Sequence, residues 1–219
     1  MTNKKKHIVI TGASSGIGYA TALNLANQGH IVYAIARRED KLNELLEEAK
    51  LLSGTVKAIQ YDLSVFDKDE LDYVFKEVPA IDVLINNAGV LLNKNFLEIE
   101  EEEILNVLQI NYISVIKSIQ FFHKKLKLAN APHIVNISSV GGVTGSVKFP
   151  GLSVYSSSKG ALSILSECLA KDFEEDKIAV NCLALGAVNT KMLNQAFPDY
   201  EAQISPVKMG DYISNFALN

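Results

Sequence analysis

Short apolar runs alternate along this chain with longer segments of helical periodicity, and this alternation constrains the fold more than any other feature. Each short run is continuously apolar, as expected of parallel strands that helices cover on both faces. The longer segments repeat apolar residues at a spacing typical of crossover helices. Strands are predicted at residues 7–10, 31–35, 56–60, 83–86, 133–137 and 179–183. Helices are predicted at residues 17–28, 41–51, 68–77, 102–127, 154–173 and 206–216.

This order of elements predicts an α/β fold of the doubly wound Rossmann type. Right-handed crossovers would place six strands in one parallel sheet, with helices on both of its faces. The chain has 219 residues, of which 48% are hydrophobic, and no change of composition marks a linker. A chain of this size can bury one substantial core. We therefore expect residues 1–219 to form a single domain.

Charge and composition exclude several classes of protein. The net charge of -4 argues against nucleic-acid binding, which needs a surplus of lysine and arginine on one face. No apolar run has the length of a membrane span or of a signal peptide, so we expect a cytoplasmic protein. Cys168, Cys182 and the four histidines lack the spacing of metal ligands, so no metal site is expected.

The first predicted strand runs directly into a glycine-rich turn that opens the first predicted helix. Glycines permit a tight turn and close approach of the backbone to a pyrophosphate, and the free amides at the N-terminus of a helix attract its charge. The turn therefore predicts a dinucleotide site, and the alternative is a turn needed only for packing the strand against the helix. Lacking a G-K-[ST] sequence, the turn disfavours a nucleotide triphosphatase. The predicted binding residues here are Gly12, Ser14, Ser15, Gly16, Ile17 and Gly18.

Two arginines, Arg37 and Arg38, follow the second predicted strand, where a site that prefers NAD usually has an acidic residue. A carboxylate would repel the 2′-phosphate of NADP, whereas a guanidinium can hold it through two hydrogen bonds. The sequence thus favours NADP(H) over NAD(H). The alternative is that both arginines are ordinary surface residues at the end of a strand.

A tyrosine and a lysine four residues apart, Tyr155 and Lys159, begin the helix after the fifth predicted strand. This spacing puts both side chains on one face of the helix. A phenol has an ordinary pKa near ~10, and a neighbouring ammonium lowers it toward a useful range for proton transfer. Ser138 and Ser139 end the fifth strand, where a hydroxyl could bind a substrate carbonyl or, alternatively, its own loop backbone.

In this order, the residues resemble the short-chain dehydrogenase/reductase family over the chain from residue 7 to about residue 192. The resemblance implies that Tyr155 donates or accepts the proton and that Lys159 holds the nicotinamide ribose and lowers the pKa of the tyrosine. It implies that Ser139 positions the carbonyl, because the serine of the family directly precedes a V-x-G stretch, here residues 140–142. The matching residues are those of the turn at 11–18, Asp62, Leu63, residues 86–89, Asn111, Ser139, Tyr155 and Lys159.

The resemblance also implies how the remaining residues meet the cofactor. Asn111 would anchor a proton relay through water, and Asp62, followed by Leu63, would face the adenine. The backbone of Asn87, Ala88 and Gly89 would flank the adenosine ribose. Arg37 would meet the 2′-phosphate.

The chain departs from the pattern of the family in three places. Extra residues at 143–150 lengthen the interval from Ser139 to Tyr155, and we expect them over the substrate pocket. Leu185 and Gly186 stand where the family usually has Pro-Gly, so the loop gains an amide and loses a fixed φ. Gly186, Val188 and Thr190 are still expected at the nicotinamide, with Thr190 offering its hydroxyl and amide. The sequence ends at residue 219, before the seventh strand that members commonly carry, so that strand is expected to be absent.

We therefore predict an NADP(H)-dependent oxidoreductase that reduces a ketone or aldehyde reversibly, with the substrate itself left open. The alternative is a catalytically silent NADP(H)-binding sensor or scaffold. A sugar-nucleotide epimerase is disfavoured, because the chain after Thr190 is too short for a substrate domain. Apolar positions on two sides of the helices at 102–127 and 154–173 suggest burial against both the sheet and a partner. The resemblance implies a homodimer through these two helices, and a tetramer is left open.

Overall fold

The computed structural model describes residues 5–219, and residues 1–4 of the predicted domain lie outside the described residues. Its strands form a six-stranded parallel sheet in the order β3-β2-β1-β4-β5-β6. Both the fold class and the six predicted strands are thereby confirmed. The strands are β1 (His7–Thr11), β2 (Ile31–Ala36), β3 (Thr55–Gln60), β4 (Val83–Asn86), β5 (His133–Ser139) and β6 (Ala179–Leu185).

Helices cover both faces of this sheet. On one face α1, α2 and α8 pack around β1 and β2, and on the other α3, α5 and α6 pack around β4 and β5. The strand order reverses between β1 and β4, which both lie in the middle of the sheet, so the loops that follow them diverge and leave a crevice. The helices are α1 (Gly16–Asn27), α2 (Glu39–Ala49), α3 (Lys68–Phe75), α4 (Glu101–Leu108), α5 (Ser114–Leu126), α6 (Ser153–Asp172), α7 (Lys191–Ala196) and α8 (Pro206–Leu218).

The helix predicted at residues 102–127 is present as a continuous helical segment, but it is not a regular α-helix throughout. A π-helical turn, Gln109–Ile113, separates α4 from α5 and contains Asn111. The apolar periodicity continues through this turn, which is why sequence reasoning did not detect it. Such turns occur mostly at functional sites, because the extra residue changes where side chains point.

The edge strand β6 is less buried than its apolar sequence predicts. Ala179, Asn181 and Ala184 are exposed, whereas Val180 and Leu183 are buried. β6 lies at the edge of the sheet and pairs only with β5 among the described strands. Part of its surface is therefore left without a covering element. The short helix α7 was not predicted at all, since six residues are too few to show a period. Within residues 5–219, no helix has the length and hydropathy to cross a membrane.

Candidate active site

Hydrogen bonds tie the loops after β1 and β4 together at the mouth of the crevice. The hydroxyl of Thr11 accepts from the backbone amides of Asn87 and Ala88, both at 3.1 Å. In return, the Asn87 side-chain amide donates to the carbonyls of Thr11 at 3.0 Å and Gly12 at 3.2 Å. These hydrogen bonds join the two loops into one rigid floor of the crevice. They occupy the side chain of Asn87, so the backbone of the residues next to it stays exposed toward the crevice.

The glycine turn is packed so closely on this floor that side chains would not fit. Gly12 has φ +71°, and a Cβ there would lie 2.7 Å from the Cα of Ala88. A Cβ on Gly18 would lie 2.5 Å from the carbonyl oxygen of Gly12. Ser15 begins α1 without using its side chain as a cap, so the first amides of the helix stay available to an anion.

The two arginines after β2 lie in different environments. Arg38 donates from Nη2 to the hydroxyls of Ser14 at 3.1 Å and Ser15 at 2.7 Å, directly over the glycine turn. Arg37 instead faces Asp62, with Glu70 beside them in a small cavity of about 420 Å³. Burial pushes the pKa of Asp62 upward, but hydrogen bonds from Ser64 and the charge of Arg37 outweigh it and hold that pKa below its ordinary value.

Tyr155 and Lys159 lie in the first turns of α6, with the lysine inside the protein. The Nζ atom of Lys159 lies 6.0 Å from the centre of the Tyr155 ring and donates to the carbonyl of Ile137 at 2.9 Å. Lys159 is only 5% exposed. Burial lowers the pKa of Lys159 to about 8, against a smaller opposing effect of Cys182. Burial raises the pKa of Tyr155, and a hydrogen bond with Ser139 opposes that rise.

The two serines at the end of β5 point in different directions. Ser139 faces the tyrosine and accepts a hydrogen bond from the amide of Gly141 at 3.2 Å. Ser138 is buried under α6, where its hydroxyl donates to the carbonyl of Lys159 at 2.8 Å. The structure thus places Ser139, and not Ser138, beside the phenol.

Asn111 and Gly89 complete the surroundings of the lysine. A Cβ on Gly89 would lie 3.2 Å from Oδ1 of Asn111 and 3.4 Å from Nζ of Lys159. The Asn111 side chain is fully buried; its oxygen accepts from the amide of Val90 at 2.8 Å, and its nitrogen donates to Val90 O and Ser158 Oγ, both at 3.0 Å. Sequence reasoning missed Ser158, although it lies between the tyrosine and the lysine.

The loop after β6 reaches the same crevice. A Cβ on Gly16 would lie 3.3 Å from the Thr190 methyl group, so Thr190 lies against the glycine turn. The hydroxyl of Thr190 caps α7 by accepting from the amide of Leu193 at 3.2 Å. Val188 is buried, as is Leu63 after β3, so both can offer a ligand little but their backbone. Gly186 has no atom within 4 Å of the position of a Cβ.

A second cavity, of about 1000 Å³, lies against the outer side of α6. The extra residues at 143–150 form part of its wall, but Tyr155 and Ser139 do not line it. Asn93, which sequence reasoning also missed, lies at its edge and donates from its side chain to the carbonyl of Ala196 at the end of α7, at 2.7 Å. No local pattern in the sequence marks this contact, because it joins segments about a hundred residues apart.

Comparison with known proteins identifies the family of the chain. The family model for short chain dehydrogenases matches residues 6–201. The 3-oxoacyl-[acyl-carrier-protein] reductase FabG of Thermotoga maritima is 33% identical over 213 residues, which cover 94% of this chain and 84% of that protein. A putative NAD(P)-dependent gluconate 5-dehydrogenase of Beutenbergia cavernae, solved with bound NADP, is 26% identical with a TM-score of 0.87, covering 97% of this chain and 89% of the other. A short-chain dehydrogenase of Sphingobium yanoikuyae in complex with NADPH is 26% identical with a TM-score of 0.85, covering 96% and 84%. The chain belongs to the short-chain dehydrogenase/reductase family and is an oxidoreductase of alcohol and carbonyl groups.

Proposed function

We propose that this protein reduces a ketone or aldehyde reversibly with NADPH, with Tyr155 as the proton donor. The observation that carries the proposal is the position of the Lys159 ammonium, 6.0 Å from the centre of the Tyr155 ring and beside Gly89. A phenol, a serine hydroxyl and an ammonium thus meet at the edge of the crevice that the glycine turn opens. NADPH supplies the hydride when it is bound.

The glycine turn fits a dinucleotide, because side chains are excluded where a pyrophosphate would approach the backbone. The atoms around Gly12 and Gly18 leave no room for a Cβ, and the first amides of α1 are free to bind an anion. Asp62 and the backbone of residues 87–89 would hold the adenosine. The backbone of residues 186–190 would hold the nicotinamide end.

The arginines after β2 support NADP(H) over NAD(H). Arg38 and the hydroxyls of Ser14 and Ser15 form a group of donors around one point, which suits a phosphate dianion. Arg37 adds positive charge nearby, but the Asp62 carboxylate faces it and offsets part of that charge. The two solved relatives that bind NADP or NADPH support the same preference.

In the reduction, the Tyr155 hydroxyl gives its proton to the carbonyl oxygen while the Ser139 hydroxyl holds that oxygen in place. Lys159 would bind the ribose next to the nicotinamide and would stabilise negative charge on the phenol. The side chain of Asn111 has used both amide hydrogens, so a proton relay there would have to use its backbone and water. The name of the Thermotoga relative, a reductase of a 3-oxoacyl group, supports reduction as the direction.

Apolar side chains on the outer surface of α4, α6 and the π-helical turn support a homodimer. Leu105, Ile113 and Ile164 are 57%, 37% and 61% exposed. Burial of such residues between two copies would remove apolar surface from water. Sedimentation at several protein concentrations tests this part of the proposal.

A screen of NADPH oxidation over a broad panel of ketones and aldehydes tests the proposed reaction. We expect turnover with NADPH and a much weaker rate with NADH at the same concentration. Binding of NADPH, measured by fluorescence, without turnover on any carbonyl would support the alternative of a silent sensor or scaffold. Turnover that is equally fast with NADH would contradict the proposed role of the arginines.

A further inference from the structure

Ser138 is the residue at the end of β5 that the proposed reaction leaves without a role. It is 3% exposed, and its side chain lies between β5 and α6. Because the hydroxyl faces the helix, it cannot reach a carbonyl held by Ser139. Any role of Ser138 must therefore come from the groups that its hydroxyl contacts.

The contacts of Ser138 all concern the backbone that carries Lys159. Its hydroxyl donates to the carbonyl oxygen of Lys159 at 2.8 Å and lies 3.2 Å from the hydroxyl of Ser163. The Ser163 hydroxyl donates to that same carbonyl at 3.1 Å. The three groups form a small, partly buried cluster of Ser138 Oγ, Ser163 Oγ and Lys159 O.

Lys159 is thereby held at both ends by two consecutive residues of β5. Its Nζ donates to the carbonyl of Ile137 at 2.9 Å, and its own carbonyl accepts from Ser138 at 2.8 Å. A lysine side chain has four rotatable bonds and reaches many positions unless its backbone is fixed. Fixing both the backbone and the ammonium to one strand leaves little freedom in where the charge lies.

Packing alone does not explain a hydroxyl at this position. The neighbouring Leu162, which is fully buried, shows that an apolar side chain can pack this helix against the sheet. A buried hydroxyl gains little stability over an apolar group of similar size, but a satisfied one fixes direction. The hydroxyl of Ser138 therefore specifies how α6 sits on β5 at the level of Lys159.

We propose that Ser138 is a positioning residue, whose hydrogen bond to the Lys159 carbonyl sets the place of the lysine ammonium beside Tyr155. This inference rests on the proposed function, since it assigns to Ser138 the alignment of the pair that moves the proton. The ionisable groups that face Lys159 are Tyr155 from its own helix and Cys182 from β6. Neither contacts the Ser138 hydroxyl directly, although the Cys182 thiol lies 3.6 Å from Ser163 Oγ, so removing the Ser138 hydroxyl leaves both ionisable groups in place.

The Ser138→Ala variant tests the proposal without any knowledge of the substrate. The ionisation of Tyr155 is followed in NADP-saturated protein as the ultraviolet difference between each protein and its Tyr155→Phe counterpart. Lys159 and Tyr155 titrate as an interacting pair, so displacing the ammonium should move the pH at which the phenolate appears upward by about half a unit in the Ala variant. The dissociation constant for NADPH should rise about threefold, because the ammonium also holds the ribose. Where a substrate is found, kcat on the rising limb of alcohol oxidation should fall about threefold with little change in KM.

Ser166→Ala is the matched control. Ser166 lies on the same helix, is equally buried, and joins α6 to β5 through Asn136 at 2.9 Å, but two turns from Lys159. Ser166→Ala should lower the midpoint of thermal unfolding about as much as Ser138→Ala does. It should leave the ionisation of Tyr155 unchanged. Ser138→Thr, which keeps the donor, should titrate like the wild type.

Two results would overturn the proposal. One is an unchanged ionisation of Tyr155 in folded Ser138→Ala protein. The other is an equal shift in the Ser166→Ala control, which would indicate general loosening of α6. Failure of the proposed function is seen separately, as absence of turnover in the wild-type protein, and leaves the titration result as it stands.

Discussion

The two sides of the crevice are built differently. On the cofactor side, the turn after β1 and the loop after β4 are in direct backbone contact, and Gly12 has no space for even one added carbon. On the side of the extra residues at 143–150, which we propose as the substrate side, Val147 and Phe149 are 72% and 55% exposed, and Gly145 has open space around it. The tight side has no room for added side-chain atoms, whereas the open side can change its side chains without disturbing the sheet. We therefore expect substitutions on the two sides to affect different measurements.

The largest expected effect comes from the residue where the two sides meet. Tyr155→Phe removes the proton donor and should lower kcat about a thousandfold. The dissociation constant for NADPH should stay within about twofold, because the ring keeps its packing. Stopped-flow or steady-state NADPH oxidation measures the first quantity and fluorescence titration the second. Near-normal turnover would refute the proposed mechanism.

A pair of glycine substitutions compares the two sides directly. Gly12 and Gly145 have similar positive φ, +71° and +79°, but a Cβ would lie 2.7 Å from Ala88 Cα at the first and meet nothing within 4 Å at the second. Both alanine variants carry the backbone cost of about 1 kcal/mol in the free energy of unfolding. Gly12→Ala should also lose NADPH binding by about a hundredfold, whereas Gly145→Ala should keep it.

Calorimetry measures the NADPH affinity of each variant, and urea unfolding measures its free energy of unfolding. Equal losses of NADPH affinity in the two variants would show that backbone strain, and not close approach, explains the glycine turn.

Substitution of each arginine tests which of the two binds the 2′-phosphate of NADPH. Arg38→Ala should weaken NADPH binding about tenfold and leave NADH binding unchanged, since a charge-assisted hydrogen bond to phosphate is lost. Arg37→Ala should have a smaller effect, because the Asp62 carboxylate already faces that guanidinium. Titration with both cofactors measures the two ratios. A larger effect at Arg37 would reverse this assignment and favour the position that the family resemblance implies.

Elements that depend on local sequence could be predicted, and contacts between distant elements could not. The strands and the glycine turn follow from runs of adjacent residues, so their places agree with the structure within one or two positions. Arg37 and Arg38 could not be told apart, because their environments depend on how β2 lies against β1 and β3. The partner of Ser138 is likewise set by the packing of α6 on β5. The roles of the site residues stay predictions until the variants are measured.

The buried side chain of Lys159 should make the free energy of unfolding depend on pH. This effect does not concern cofactor binding. The pKa of Lys159 is lowered by burial to about 8, from 10.5 in an unfolded chain. Between these values the unfolded state binds a proton that the folded state does not, so stability rises with pH across this window. The rise in the free energy of unfolding between about pH 8 and pH 10 should be roughly 2 kcal/mol.

Urea unfolding of cofactor-free protein between about pH 8 and pH 10 measures this rise. The Lys159→Met variant is the control and should lack it. The raised pKa values of Tyr33, Tyr61 and Tyr155 act with the opposite sign and only above their unfolded value near 10. A rise of the same size in the variant would mean that another group is responsible.

The smallest effect is expected on the open side. Asn93→Ala removes the hydrogen bond to Ala196 that joins the loop after β4 to α7, so KM for the substrate should change about threefold. NADPH affinity should not change. Asn95→Ala is the control, because that side chain caps its own loop through the amide of Leu97. A change in NADPH affinity with Asn93→Ala would show that the two sides are coupled.

The last helix has a consequence for the order in which the molecule assembles. Gly210 of α8 lies against the backbone of Ala20 and Thr21 in α1, and Asn24 contacts Asp211 across 187 residues of sequence. During synthesis, the face of α1 that packs on α8 therefore stays uncovered until residues 206–218 have emerged. Contacts between such distant segments form late, so this face of a nascent chain is exposed to aggregation or to chaperones in the meantime.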